Sequence, residues 1–288
     1  MNCKICSNKT YEIFTRKILG KYDVSYYKCN KCLFIQTEEP FWLDEAYESG
    51  AISALDVGIM SRNLLLLDKT QNIIRKLFSD FNTFSAVDYG GGEGVFVRLI
   101  RDKGFNFYRQ DLHADNLYAR YFDVKDLPVS HKFDILTAFE VFEHLPNPIE
   151  GIKEMFNYSD TILLSTELQP SRHISELKNW WYIVPETGQH VSFYTEDAFH
   201  TIAKKFDAYY YTDSMNLHIL SRKKLAANPF VEEKRPQIKK TILQRILNKI
   251  NYKINQNQTF ITKKMFPESL IMKDFEYVKK KLQNNDLV

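Results

Sequence analysis

Residues 86–94 read AVDYGGGEG, and four of the chain's 10 glycines fall in the last five of those positions. An apolar run that ends in such a cluster must turn sharply. Glycine tolerates positive φ and lets a ligand lie against bare backbone. The segment that follows, GVFVRLIRDK, carries Val95, Val97, Leu99 and Ile100 and suits a helix. Strand, glycine turn and helix in that order commit the chain to an α/β layer. Free helix N–H groups then face whatever the turn holds.

The alternation continues on both sides. Helices are expected at 43–49 and 61–81, then strands at 85–89, 106–110, 121–124, 133–139 and 161–166. Helices at 94–103, 149–158 and 195–206 separate them, and 208–212 with 217–221 reads as a terminal hairpin. This predicts a doubly wound, mostly parallel sheet with helices on both faces. The hairpin would add an antiparallel strand at one edge. A chain of 288 residues accommodates one large domain with small appendages. The expected boundaries are 1–40, 41–222 and 223–288.

All four cysteines lie in the first 32 residues, as Cys3-x2-Cys6 and Cys29-x2-Cys32 with 22 residues between the pairs. Two such turns can bring four thiolates to one tetrahedral all-sulfur site, which suits zinc. Four thiolates leave no open coordination position, so the metal is expected to be structural. Short β runs at 11–14, 25–28 and 33–36 flank the pairs and make residues 1–40 a zinc-ribbon-like module.

The glycine segment has the form Asp-x-Gly-x-Gly-x-Gly, with Asp88, Gly90, Gly92 and Gly94, and lacks the G-x-G-x-x-G of dinucleotide enzymes. Asp111 ends the second strand, 23 residues after Asp88, where a carboxylate can accept from both ribose hydroxyls. Residues 133–148 read FDILTAFEVFEHLPNP. Over residues 84–221 this order of motifs resembles the class I S-adenosylmethionine-dependent methyltransferases. The resemblance implies a Rossmann-like fold and S-adenosylmethionine as cofactor. It also implies cofactor contacts from Asp88, Gly90, Gly91, Gly92, Gly94, Asp111 and Glu140, and adenine contact near Asp123.

An aromatic insertion, NWWYIVPETGQHVSFYT at 179–195, falls where this fold builds its acceptor site. Trp180, Trp181 and Tyr182 can stack on a sugar or a base, or close over the cofactor. With the cysteine module, the insertion resembles the nucleotide-sugar C-methyltransferases. In that family a Tyr-His-Glu-His-x-Ser stretch supplies a base from its second histidine, and another active-site histidine follows strand four. His190 and His144 stand at those positions here. Thr187, Gly188 and Gln189 replace the tyrosine, first histidine and glutamate, and a basic tail stands where the family has a large second domain. Loss of the supporting pair points to O-methylation, in which one histidine can suffice. Attack in line with the methyl–sulfur bond makes positioning important. The expected roles are His190 as base and His144 as its assistant. Glu143, Tyr47, Gln189 and Tyr194 are further candidates beside Trp181 and Tyr182.

The net charge of +3 is uneven. Residues 223–288 hold 15 Lys/Arg against 6 Asp/Glu, which leaves residues 1–222 at −6. An acidic body argues against nucleic acid as the partner. A sugar or nucleotide sugar of surface-polysaccharide or secondary-metabolite synthesis is the expected acceptor. The alternatives are sugar C-methylation, a zinc-containing RNA methyltransferase, and a cofactor-binding scaffold without catalysis. With no bilayer-length apolar run and no signal-peptide pattern, a cytoplasmic location is expected. Ile238, Ile242, Ile246 and Ile250 predict a basic amphipathic helix for packing, dimerisation or partner docking, and a second helix is expected near 269–282.

Overall fold

The computed structural model describes residues 1–48, 55–127, 131–170, 173–231 and 267–283. Its main sheet begins with β4 (Ala86–Tyr89) and β5 (Phe107–Gln110), joined by α3 (Val95–Asp102). Next come β6 (Ile135–Phe139), α4 (Pro148–Tyr158), β7 (Thr161–Ser165) and α5 (Ile174–Lys178). The body ends with α6 (Glu196–Lys205), β9 (Tyr209–Thr212) and β10 (Leu217–Ser221). The strand order is β5-β4-β6-β7-β10-β9. Strands β5, β4, β6 and β7 run parallel, and β10 runs antiparallel to both of its neighbours.

This is the expected mixed α/β, Rossmann-like arrangement, with the terminal hairpin at one edge. The hairpin adds its antiparallel strand through β10, which pairs with β7, and β9 is outermost. Burial explains the order: all five residues of LHILS in β10 are buried, whereas YYYT in β9 is only partly covered.

The two faces of the sheet separate by strand alternation. Val87, Leu136, Ala138, Ile162 and Leu164 face one core with α4 and α6. Ala86, Phe107, Ile135, Leu163 and Ile219 face the other, with α3 and α2 (Ile59–Leu77). The expected strand at 121–124 is absent. Tyr121 has φ +69°, Asp123 makes a single bridge to Arg109, and a 3-10 turn follows at Val124–Asp126. Reciprocal capping between Asp123 and Asp126 draws the chain into that turn.

A second sheet packs against the first. It contains β1 (Thr10–Ile18), β2 (Tyr22–Cys29) and β3 (Ile35–Thr37), all antiparallel, and takes its fourth strand, β8 (Ser192–Phe193), from far along the chain. Residues 1–40 are thus joined to the body by strand pairing. Side chains add further links: Thr195 Oγ1 donates to the Cys32 carbonyl (2.9 Å), Gln169 Nε2 to Leu33 (3.0 Å) and Lys205 Nζ to Ile5 (3.1 Å). Cys3, Cys29, Cys32 and Phe34 belong to the same core as α4 and α6. The short helix α1 (Leu43–Glu48) leads from this sheet back towards the main one.

The expected helix near 269–282 is α7 (Ile271–Gln283). Asp274 anchors it through a buried ion pair to Arg101 (2.7 Å) and a partly buried one to Arg98 (2.9 Å). The amphipathic segment at 238–250 lies outside the described residues. Among the described residues, no helix is long and apolar enough to cross a membrane.

Candidate active site

After β4 the chain turns through Gly90 (φ +69°), Gly92 (φ +52°) and Gly94 (φ +88°) into α3. A Cβ on Gly90 would meet Val141 Cγ2 at 2.6 Å, and one on Gly94 would meet Asn116 Oδ1 at 2.9 Å. Above Gly92 there is nothing within 4 Å of such an atom. The loop is therefore tight at both ends and open in the middle, as a backbone cradle for a ligand must be.

Asp111 closes this cradle. Its Oδ2 accepts the Gly92 N–H, and its Oδ1 accepts the N–H groups of His113 and Ala114, all at 2.8 Å. A carboxylate has about four lone-pair sites, so roughly one remains for a ribose hydroxyl. Beneath the loop, Asp88 is buried and accepts the Thr137 hydroxyl at 2.6 Å; burial pushes its pKa up to about 7. Arg109 completes the floor. It donates to the Gly92 carbonyl (2.5 Å), to Asp123 Oδ1 (2.8 Å) and to the Ala114 carbonyl.

At the end of β6 a second cluster forms. Glu140 has φ +54°, a strained conformation for a residue with a side chain. It accepts the Ser165 hydroxyl at 2.6 Å and faces Tyr182 at 3.4 Å. Glu143 is 0% exposed, and neither of its carboxylate oxygens has a hydrogen-bond partner among the described residues. Burial, then the charge of Glu140, pushes its pKa up to about 8. His144 Nε2 stands 3.9 Å from Glu143 Oε1, while its buried Nδ1 has no partner. The His144 and His190 rings meet edge to face at 4.8 Å.

His190 is fixed by one bond: its Nδ1–H donates to the Tyr182 carbonyl at 2.6 Å. That selects the tautomer with a lone pair on Nε2. Burial lowers the pKa of His144 and takes that of His190 down to about 4, so both rings are neutral near pH 7. Tyr47 on α1 links the two clusters. It stacks on His113 at 4.7 Å, and burial, then Glu143 and Asp111, raise its pKa to about 12.

Residues 62–212 match the model of a family described as a methyltransferase domain, a span of just over half the chain. The chain belongs to that family. A comparison with curated proteins gives no match. Among solved structures it is similar to the mitomycin 7-O-methyltransferase MmcR, with 12% identity, 54% of this chain and 53% of that one aligned, and a TM-score of 0.36. OxaC shows 21% identity over 55% and 47% of the two chains, with a TM-score of 0.41. The plantazolicin methyltransferase BpumL, in complex with a monoazolic desmethylPZN analog and SAH, shows 13% identity over 63% and 96%, with a TM-score of 0.36. The chain thus spans about half the length of the first two.

Several expected site residues of this domain have other partners. Both Asp123 oxygens are engaged, by Arg109 and by Asn116 at 2.9 Å, so its carboxylate braces the loop. Tyr194, expected at the acceptor, is 0% exposed in the core, and its hydroxyl donates to the Phe142 carbonyl at 2.9 Å. Gln189 Nε2 donates to the Ala46 carbonyl at 3.0 Å and so holds α1. Thr187 Oγ1 donates to the Val184 carbonyl at 3.1 Å. Gly188 has φ +67°, and a Cβ there would meet Ile18 Cγ2 at 2.7 Å, which excludes a histidine. Tyr182 is buried against His190, whereas Trp181 is 70% exposed beside it.

Two arginines were missed. Arg109 occupies an inward position of β5, where a charge demands buried partners; its place two residues before Asp111 was the available signal. Arg62 on α2 pairs with Asp56 and casts its charge on Glu140 and Glu143. Nothing in the periodicity of its helix marks it.

Proposed function

We propose that this methyltransferase moves the methyl group of S-adenosylmethionine to a hydroxyl of a small acceptor, a sugar or nucleotide sugar. Gly90, Gly92 and Gly94 with Asp111 hold the cofactor, while Asp88, Arg109 and Asp123 brace the cradle. The acceptor lies between Trp181 and the Glu143–His144–His190 cluster. The oxygen attacks the methyl carbon in line with the departing sulfur, and His190 Nε2 takes the hydroxyl proton.

The observation that carries this reading is the tautomer of His190, set by the Tyr182 carbonyl. The residues that would help remove a carbon-bound proton are missing. Thr187 and Gln189 stand in those places with their side chains committed to backbone carbonyls. Trp181 supplies an exposed apolar face beside the cluster, which suits a sugar ring. In the same reading Cys3, Cys6, Cys29 and Cys32 hold a structural zinc. Their sulfurs lie within 4.8 Å of one another, with Cys3–Cys32 at 3.6 Å and Cys6–Cys29 at 3.4 Å. Tetrahedral Zn–S bonds of ~2.3 Å place sulfurs about 3.8 Å apart, whereas a disulfide needs about 2.05 Å.

The test is methyl transfer from labelled S-adenosylmethionine across a panel of nucleotide sugars. His190→Ala should lower kcat by roughly 10²–10⁴-fold, with S-adenosylhomocysteine binding unchanged. Near-full activity in that variant, or a methylated carbon in the product, would refute the reading. Transfer to RNA and to no sugar would replace the acceptor class.

A further inference from the structure

Glu143 is fully buried, and the hydroxyls of Tyr182 and Thr166 act on its carboxylate without reaching hydrogen-bond geometry. Both of its oxygens and His144 Nδ1 are buried without a hydrogen-bond partner. Burying an unpartnered carboxyl is unfavourable unless something neutralises or pairs it. The nearby cations do not perform that task. Arg62 is spent on Asp56, and Arg109 on Asp123 and the glycine loop. Glu140 adds a second carboxyl to the same pocket. Three donors, from Glu143, His144 and His190, lie within 4.8 Å of one another.

We infer that Glu143, His144 and His190 form a site for a divalent first-row transition cation. Two imidazoles and one carboxylate on one side of an ion are a donor set such ions accept, with the opposite positions left open. Bonds of about 2.1 Å need donors roughly 3–4 Å apart, so side-chain shifts of under about 1 Å close the site. The Glu143 to His144 spacing is already 3.9 Å. His190 is held as a metal-bound imidazole usually is, with its far N–H on a backbone carbonyl and its other lone pair free. Tyr47 and Glu140 lie close enough to Glu143 to interact with it electrostatically, and the acceptor hydroxyl would take an open position of the ion.

This inference rests on the acceptor lying at this cluster, and it changes one step of that reading. With a cation on Nε2, His190 is a ligand. The cation lowers the affinity of the hydroxyl for its proton, which leaves to solvent. The new oxygen–methyl bond then forms as the methyl–sulfur bond breaks, and the sulfonium becomes a neutral thioether.

Manganese is the discriminating probe, because a hard Mn²⁺ ion avoids the four-thiolate site. Electron paramagnetic resonance titration of the full chain with Mn²⁺ should show one bound ion. Glu143→Gln and His144→Ala should each weaken it at least tenfold, while S-adenosylhomocysteine binding shows that the variants fold. No bound Mn²⁺, or equal binding in both variants, overturns the inference. If in addition chelation leaves methyl transfer intact and His190→Ala abolishes it, the imidazole alone is the base and the acceptor placement survives. If His190→Ala is fully active, the acceptor placement fails as well.

Discussion

His218 shows how a single side chain can be set by its surroundings. Its Nε2–H donates to the Thr166 carbonyl at 3.1 Å, and the single lone pair of its Nδ1 accepts from the Tyr210 hydroxyl at 3.0 Å, with the Thr212 hydroxyl also adjacent at 2.9 Å. Every polar atom of the neutral ring is satisfied, so a proton has no place, and burial lowers the pKa from 6.5 to about 4. The unfolded chain takes up a proton first as pH falls. Stability from this group is therefore complete above about pH 6.5 and is lost as pH falls through about 4. Urea unfolding at several pH values should show His218→Gln losing less stability across that window than the parent, by on the order of 1–3 kcal/mol. Equal losses would contradict the assignment. Not every such residue is visible in sequence. Asp88, Asp111 and the glycines are legible because a tight turn restricts which residues can serve. Arg109 and His218 acquire their roles from partners 14 and 52 residues away, and no local pattern reports those.

At the scale of elements, βα alternation was readable because each strand and helix carries its own hydrophobic period. Helix α5 and strand β8 were not expected, and the strand expected at 121–124 did not form. β8 is only two residues long, inside an insertion too aromatic for alternation to show. Residues 121–124 have strand-like composition, yet the capping of Asp123 by Asp126 prevails over propensity. The consequence of β8 is larger than its length. It seats Phe193 and Ser192 on β3, and Val191 next to it exchanges bonds both ways: its carbonyl accepts the Thr37 N–H (3.1 Å), and its N–H donates to the Glu143 carbonyl (2.9 Å). The cysteine-bearing sheet thereby holds the residue next to His190. Purified without chelators, the chain should contain one zinc. Its removal should raise hydrogen exchange at Thr37 and Val191 by at least about tenfold, a loss of 1.4 kcal/mol of local protection. Unchanged exchange after complete metal removal would show that the sheet stands without it.

For the whole molecule, the cysteine-bearing sheet joins one of the two cores of the parallel sheet through Cys3, Cys29, Cys32 and Phe34. The parallel sheet brings Gly90–Gly94, Asp111 and Glu140 to its carboxyl ends, where α/β folds bind ligands. The smaller sheet is followed by α1 with Tyr47, and its strand β8 lies two residues after His190. The parallel sheet was legible because helices alternate with its strands, which makes neighbouring strands parallel. The joining of residues 1–40 to 192–193 was not legible, because no local signal records which distant edge a short strand will complete. The central claim is that the glycine cradle binds the adenosyl cofactor, and calorimetric titration with S-adenosylhomocysteine tests it most directly. The parent chain should bind one equivalent in the roughly micromolar range usual for enzyme ligands. Gly94→Ala forces a side chain to φ +88° and against Asn116 and Ala119, and should weaken binding at least about tenfold. Absence of binding by the folded parent chain, or equal affinity in a folded Gly94→Ala variant, would contradict the account.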